Sequence, residues 1–142
     1  MVAEAGTGAG LAPLIDTHAH LTSSQLEPDL PGVLARARAT GVVRIVDVGT
    51  TAEDSRRCVA HARVHPALAA AVAIHPNDVA AAQAGDWDTI RALAAEPAVV
   101  AIGETGLDRY RDRTPFPAQE AAFVCHLELA RERDLPVLIH CR

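Results

Sequence analysis

The sequence predicts an α/β fold built on a parallel sheet, and two regularities carry that prediction. Apolar, strand-like runs alternate with segments of helical spacing in the order β-α-β-α-β-α-β-α-β. Such alternation is typical of parallel strands joined by right-handed helical crossovers. Histidine and glutamate residues that could bind a metal ion or take part in catalysis follow the ends of several strand-like runs. Because parallel strands end at one edge of a sheet, that edge is where we expect a functional site.

Five predicted strands lie near residues 14–20, 42–48, 69–74, 99–103 and 136–140. Most are rich in Val, Ile and Leu, as buried strands are, whereas the third contains mainly alanine and is predicted from its position. The helices between them have recognisable start and stop signals. These signals are Pro31 and Gly41, a capping box at Thr51–Asp54 with an end near His65, Asp86 as a cap, and Pro117 before an apolar face of Phe123, Leu127 and Ala130.

Size and composition indicate one ordinary domain. The chain has 142 residues, 49% of them hydrophobic, and a net charge of −5. An acidic chain lacks the general attraction for nucleic acid, so a polyanionic substrate would need metal ions or a few arginines. The three cysteines form no CxxC motif, which favours reduced thiols in a cytoplasmic protein. No apolar run reaches membrane length. We interpret residues 1–12 as a flexible leader and 13–142 as the domain.

Two histidines at the end of the first predicted strand are candidate metal ligands. Side chains alternate along a strand, so His18 and His20 point to one face, with Cα atoms roughly 6.6 Å apart at ~3.3 Å per residue. Asp16 lies on the same face, where its carboxylate could receive the N–H of a ligand ring and fix the tautomer. The alternative is a strand end with two structural histidines, and the other motifs of the chain are needed to choose between the two interpretations.

Further candidates follow the later strands. Glu104 stands between Gly103 and Gly106 at the end of the fourth strand, while His75 follows the third strand and His140 ends the fifth. A carboxylate can bridge two cations, and zinc, manganese and magnesium accept nitrogen and oxygen ligands of this kind. Each residue taken alone also fits a structural role: a solvated turn for the glutamate, a hydrogen-bonded core position for His140 and a stabilised loop for His75.

Other charged residues near this motif have less specific interpretations. Three arginines after Glu104 could pair with phosphate oxygens, although a solvated charged loop is the usual outcome: Arg109, Arg111 and Arg113. Asp108 is interpreted structurally as a helix cap. We expect the remaining histidines on predicted helices to lie at helix surfaces: His61, His65 and His126.

Four blocks of the chain together resemble the TatD-type deoxyribonuclease family, within the amidohydrolase-like metal-dependent hydrolases. The blocks are residues 15–21, 73–76, 101–110 and 135–142. Their order and spacing are more specific than any single block, and the resemblance extends over essentially the whole chain from Leu14. One departure is Ala73, where the family usually has Gly.

The resemblance implies a TIM (β/α)8 barrel with two divalent metal ions, Mg, Mn or Zn, at its C-terminal mouth. By resemblance, His18 and His20 would bind one ion, Glu104 would bridge both ions as the catalytic carboxylate, and His140 would bind the second. Three further residues are expected to contact the substrate: His75, Arg109 and Arg142.

The family pattern also includes about three more strands, a further histidine ligand and a late aspartate, whereas the sequence ends at Arg142. A complete TIM barrel takes ~250 residues. We therefore expect the N-terminal portion of a barrel, truncated after about five strands and weak or inactive as an enzyme. Exposed sheet edges would favour self-association.

The activity implied by the resemblance is cleavage of phosphodiester bonds in DNA by a metal-activated water. Two alternatives remain: a metal-dependent hydrolase of amide or aminoacyl ester bonds, and an inactive remnant that acts only through protein association. Many related metal-dependent hydrolases that begin with the same HxH motif carry a carbamylated Lys where Glu104 stands. The chain contains no Lys, which argues against that alternative.

Overall fold

The computed structural model describes residues 12–142, which form one five-stranded sheet with helices packed along it. Most of the predicted leader therefore lies outside the described residues. In chain order the elements are β1 Leu14–Ala19, α1 Leu30–Ala39, β2 Val42–Val48, α2 Ala52–Val64, β3 Leu68–Val72, α3 Asp86–Leu93, β4 Val99–Leu107, α4 Phe116–Arg133 and β5 Val137–Cys141. Short 3-10 turns occupy Glu27–Asp29 and Val79–Ala81.

The sheet confirms the predicted topology. Every neighbouring pair of strands is parallel, and the strand order β1-β2-β3-β4-β5 follows the chain. An order without reversal is the pattern of an α/β barrel, whereas a doubly wound sheet reverses direction at a switch point. All carboxyl ends consequently lie at one edge. Among the described residues, none of the helices has the length and apolarity needed to cross a membrane.

The core lies on both faces of the sheet. On the helix side, Val59 of α2, Ile90 of α3 and Leu129 of α4 pack in one cluster with strand residues such as Val72 and Ile102. A second cluster on this side packs α1 against β2. The opposite face carries a smaller cluster built on a valine and two alanines: Val48, Ala71 and Ala101. In the third strand, Ala71 packs on this inner face and Ala70 in the helix-side cluster, and both are fully buried, which explains a strand with weak β-propensity.

The N-caps of two helices test the capping signals predicted from the sequence, and one of the two predictions is correct. Thr51 caps α2 as predicted, because its hydroxyl accepts the main-chain N–H of Asp54 at 3.1 Å. The expected cap of α3 is wrong: Gly85 holds the N-cap position, and the Asp86 carboxylate accepts the N–H of Gln83 instead.

Helix α4 differs from its predicted orientation. Leu127 is 40% exposed, and the buried residues are Gln119, His126, Leu129 and Ala130. The inward stripe of α4 is thus partly polar, and a search for apolar periodicity cannot find such a stripe.

The predicted surface positions of the helix histidines need a related correction. His126 is 0% exposed. His61 and His65 are half-buried, and the ring of His61 lies 2.9 Å from a carboxylate oxygen of the buried Asp47. That carboxylate also accepts the N–H of Leu21, so it anchors the chain just after the first strand. Buried histidines with hydrogen-bond partners are a normal use of this residue, which helix periodicity does not reveal.

Candidate metal centre

Five predicted residues from four strands or strand ends meet at the carboxyl edge of the sheet. They surround an open cleft of about 290 Å³ whose lining includes His20, His75, Glu104 and His140. His18 reaches the same carboxylate from β1. The structure therefore brings together the residues that the sequence placed after separate strands, as parallel topology requires.

Glu104 is the centre of this arrangement. Its Oε2 lies 3.2 Å from His18 Nε2 and 3.5 Å from His20 Nε2, whereas its Oε1 lies 2.7 Å from His140 Nδ1. Oε2 thus faces the β1 end, whereas Oε1 faces His140 on β5 and His75 after β3. The hydrogen bond with His20, followed by the one with His140, lowers the pKa of Glu104 to about 2. The carboxylate is therefore anionic at neutral pH.

Glycine in β4 makes this close approach possible. Gly106 has φ 144°, and a Cβ at this position would collide with the carbonyl oxygen of His140 on β5. The strand also continues to Leu107, so Glu104 lies within β4 and not at its end as predicted. The glycine lets β4 continue beside His140, which keeps the carboxylate and the imidazole on neighbouring strands.

The β1 side of the centre is exposed, with His18 and His20 side chains 41% and 42% accessible. The Nδ1 of His20 lies 2.8 Å from the carbonyl of Val48, which accepts the ring N–H and directs Nε2 toward Glu104. Hydrogen bonding to Glu104 raises the pKa of His20. Asp16 does not contact a ring as expected, because its Oδ1 accepts the main-chain N–H of His18 at 3.0 Å. It fixes the backbone of this segment instead.

The β3–β5 side is largely buried, with His75 and His140 side chains 12% and 14% exposed. His140 lies between two carboxylates, with Nδ1 at 2.7 Å from Glu104 Oε1 and Nε2 at 3.1 Å from Asp108 Oδ2. The Nδ1 of His75 accepts the main-chain N–H of Asn77 at 3.1 Å. Its proton is therefore on Nε2, which lies 3.2 Å from His140 Nδ1 and 3.9 Å from Glu104 Oε1. Burial lowers the pKa of His75, so this ring is a neutral donor aimed into the centre.

Asp108 is a residue of the centre that the sequence interpretation missed, because it contacts His140 and does not cap a helix. Its buried carboxylate accepts hydrogen bonds from Asn77 Nδ2 at 2.8 Å and Arg142 Nη2 at 2.8 Å, besides the bond from His140. The main-chain N–H groups of Tyr110 and Arg111 complete the set. The Arg142 guanidinium is the main cause of a pKa well below the usual range for Asp108. The even spacing from Glu104 along a continuing strand is the signal that could have revealed it.

The arginines divide differently from the prediction. Arg142 lines the cleft and pairs with Asp108, and Arg111 and Arg113 also line the cleft. The guanidinium of Arg109 instead lies 4.0 Å above the Phe116 ring and is not part of the cleft lining. The structure therefore does not bring Arg109 to the centre.

The donor atoms fit a divalent cation. His18, His20 and Glu104 each offer a ligand atom within 4.8 Å of the others, and the same holds for His75, Glu104 and His140. Imidazole nitrogen with carboxylate oxygen suits zinc and manganese, and carboxylate oxygen suits magnesium. In the second group the tautomer of His75 makes it a hydrogen-bond donor, which leaves Glu104 and His140 as the candidate ligands on that side.

Comparison with known families and proteins identifies the family of this chain. A family model described as TatD related DNase matches residues 15–142. The chain belongs to this family. Curated relatives named 3′-5′ ssDNA/RNA exonuclease TatD are 41% identical in Cronobacter turicensis and 40% identical in Escherichia fergusonii, each over 129 residues. These matches cover 91% of this chain but 49% and 50% of the relatives, so the chain spans about half their length.

Solved structures extend the family relationship to the fold. A TatD homologue from Escherichia coli superposes with a TM-score of 0.85 at 33% identity, over 90% of this chain and 50% of that one. A TatD family hydrolase from Entamoeba histolytica gives a TM-score of 0.83 at 24% identity, over 92% and 50% respectively, and supports the fold alone. The five strands and their helices correspond to a half-barrel of the TIM type, which confirms the predicted fold class.

Proposed function

We propose that this chain carries the metal-binding half of a hydrolase that cleaves phosphodiester bonds in DNA. The observation that carries the proposal is the division of one carboxylate between two sides of a cleft: Glu104 Oε2 faces His18 and His20, and Oε1 faces His140. A carboxylate held in this way suits two cations that share a ligand. The family and the name of the curated relatives support single-stranded DNA or RNA as the substrate class.

Two divalent ions, Mg, Mn or Zn, are part of the proposal. His18, His20 and Glu104 would hold one ion, and Glu104 with His140 would hold the other. When bound, divalent ions at such sites polarise a phosphoryl oxygen and increase the acidity of a water molecule. Asp108 contributes by accepting the Nε2–H of His140, which leaves Nδ1 available toward Glu104.

Substrate contacts fall to the protonated groups that line the cleft. The Nε2–H of His75 points at the centre and can donate to a phosphoryl oxygen while the ring itself stays neutral. Arg111, Arg113 and Arg142 place guanidinium groups on the same cleft. Guanidinium pairs well with phosphate oxygens. Because the chain has a net charge of −5, attraction of nucleic acid depends on these local cations.

The self-association predicted from the sequence remains a prediction, and the exposure of two edge strands supports it. β1 and β5 are the edge strands, and Ile15 on β1 and Ile139 on β5 are each 62% exposed. Exposed parallel edges with apolar side chains favour pairing between copies. Light scattering of the purified chain over a range of concentrations checks this: a mass that rises with concentration is expected, and a constant monomer mass contradicts it.

Cleavage of labelled single-stranded DNA by the purified chain tests the proposed function. We expect slow cleavage that requires Mn²⁺ or Mg²⁺, stops with chelator and is lost in Glu104→Gln. The matched control is Glu120→Gln, which alters an exposed glutamate on α4 and should cleave like the unmodified chain. Cleavage that survives chelation or Glu104→Gln would contradict the proposal. Hydrolysis of an aminoacyl-RNA ester in place of DNA would favour the amide or ester alternative, and Mn²⁺ binding without any hydrolysis would favour a non-catalytic role.

A further inference from the structure

A buried imidazole on the helix side of the sheet contacts two strands that carry the metal centre. His126 of α4 is 0% exposed. Its Nε2 accepts the main-chain N–H of Ile74 at 3.1 Å, just beyond β3. Its Nδ1 lies 2.9 Å from the hydroxyl of Thr105 on β4 and 2.8 Å from the carbonyl of Ala122 on its own helix. One side chain thus connects the end of β3 and the interior of β4 to helix α4.

These contacts assign the proton of the ring. A main-chain N–H can only donate, so Nε2 of His126 is bare and the proton is on Nδ1, where Ala122 and Thr105 oxygens accept it. Burial lowers the pKa of His126 to about 4, so the ring stays neutral near neutral pH. The Trp87 ring packs edge-on at 4.9 Å and further restricts the imidazole.

The two strand contacts lie one residue from residues of the centre. Ile74 precedes His75, and Thr105 follows Glu104. Ile74 packs in the helix-side cluster and Thr105 contacts His126 of α4, whereas the neighbouring His75 and Glu104 line the cleft. The imidazole therefore makes hydrogen bonds to the backbone of Ile74 beyond β3 and to the side chain of Thr105 on β4, on the face of the sheet opposite the centre.

We propose that His126 is a positioning residue, which sets the separation between His75 and Glu104 by joining the β3 end to β4 from behind. The inference rests on the proposed metal site for its functional meaning, but the link between His126 and the cleft exists without an ion. The residue does not contact the centre itself. Its effect passes through the backbone at Ile74 and through Thr105.

Ring nitrogen NMR of the metal-free chain near neutral pH, followed by Mn²⁺ titration, tests this role. His126→Leu removes both polar contacts, whereas His126→Gln retains an acceptor and a donor. In His126→Leu we expect shifted ring signals of His75 and His140, an unshifted His18 signal, and Mn²⁺ affinity weaker by up to about tenfold, because the contact with Thr105 positions the neighbouring ligand Glu104. Partial recovery is expected in His126→Gln.

The matched control is His65→Leu, which removes a half-buried histidine at the end of α2, away from the cleft. It should leave all cleft signals and the Mn²⁺ affinity unchanged. If His126→Leu does not fold, Thr105→Val removes only the hydroxyl contact and should shift the His75 signal in the same direction by less.

Unshifted His75 and His140 signals in every folded variant would overturn the proposal. So would shifts of the same size in His65→Leu, because they would indicate a general loss of packing. The proposed function fails separately, if the unmodified chain binds no Mn²⁺, and the metal-free ring signals then still decide whether His126 positions the centre.

Discussion

The two sides of the metal centre are built differently although they share Glu104. On the β1 side, His18 and His20 complete a set of three ligand atoms but are 41% and 42% exposed. On the β3–β5 side, His75 and His140 are only 12% and 14% exposed, and each has a ring nitrogen fixed by a neighbour. The β1 side therefore offers more candidate ligand atoms, whereas the imidazole rings of the β3–β5 side are more firmly fixed by burial and hydrogen bonds.

The reason lies in the position of the strands. β1 is an edge strand, so its histidines have protein on one side only, with the carbonyl of Val48 as the ring partner. The other side is backed by the buried Asp108. This difference teaches that the number of candidate ligand atoms and their preorganisation are separate properties: the exposed side offers more ligand atoms, while the buried side fixes the orientation of its rings.

The largest expected effect comes from removing what the two sides share. Glu104→Gln keeps the size of the side chain but removes the anionic oxygens that face His18, His20 and His140. We expect Mn²⁺ affinity to fall by more than about 100-fold, beyond the effect of losing an outer partner of a ligand. Isothermal titration calorimetry measures it, with Glu120→Gln as the control. Residual tight binding in Glu104→Gln would mean that the sides do not share this ligand.

Acid should destabilise the buried side through the imidazole behind it. The pKa of His126 is about 4 in the fold against 6.5 for an ordinary histidine, so the unfolded chain takes up the proton first. The stabilisation that comes from keeping this ring neutral is complete above about pH 6.5, falls as the pH decreases and is lost by about pH 4. The free energy of unfolding should therefore decrease by about 3 kcal/mol, at 1.36 kcal/mol per pKa unit. Urea unfolding across this pH range checks it. A curve just as steep in His126→Gln would contradict the assignment.

A sharper comparison sets one histidine from each side against the other. His18→Gln removes a ligand atom and should weaken Mn²⁺ binding by about 10- to 100-fold, a range known for partners of metal ligands. His75→Gln removes a protonated donor, because the N–H of Asn77 occupies Nδ1, and should leave Mn²⁺ affinity unchanged while slowing DNA cleavage. Equal losses of affinity in both variants would make His75 a ligand and would remove the distinction between the sides.

A smaller effect is expected when the support of His140 is altered. Asp108→Asn keeps the shape of the side chain but weakens the bond that holds the Nε2–H of His140 and the pair with Arg142. We expect Mn²⁺ affinity about tenfold lower, together with a changed tautomer of His140 in nitrogen NMR. Asp112→Asn, on the exposed loop nearby, serves as the control. An unchanged His140 tautomer in Asp108→Asn would show that the carboxylate does not select it.

The smallest effect concerns the arginines at the rim of the cleft. Arg111→Ala should lower affinity for single-stranded DNA and reduce the salt dependence of binding by roughly 0.7 in log–log slope, the value for one phosphate contact. Arg109→Ala should leave that slope unchanged, because its guanidinium packs on Phe116. Fluorescence anisotropy at several salt concentrations measures both. Equal slopes for the two variants would place Arg109 at the nucleic acid as well.

The sequence was sufficient for the features that follow from strand periodicity and parallel topology. These include the five strands, their order, and the meeting of His18, His20, Glu104 and His140 at one edge. Parallel strands force residues after separate runs to the same edge, so contacts between distant residues could be predicted without coordinates.

The features that were missed depend on contacts that periodicity does not encode. The inward stripe of α4 contains Gln119 and His126, whose polar partners lie on other elements, so an apolar pattern pointed to Leu127. Asp108 became a buried acceptor because β4 continues beyond Glu104. The direction of Arg109 was likewise set by an aromatic ring across the loop. Each case needed the three-dimensional neighbours of the side chain.

Anomalous X-ray scattering from crystals of this chain soaked in Mn²⁺ tests the central claim most directly. The account predicts a strong peak between His18, His20 and Glu104 Oε2, and a weaker peak between Glu104 Oε1 and His140 Nδ1, with Nε2 of His75 turned toward neither ion as a ligand. A single peak away from Glu104, or manganese bound without contact to either of its carboxylate oxygens, would contradict the shared-carboxylate site.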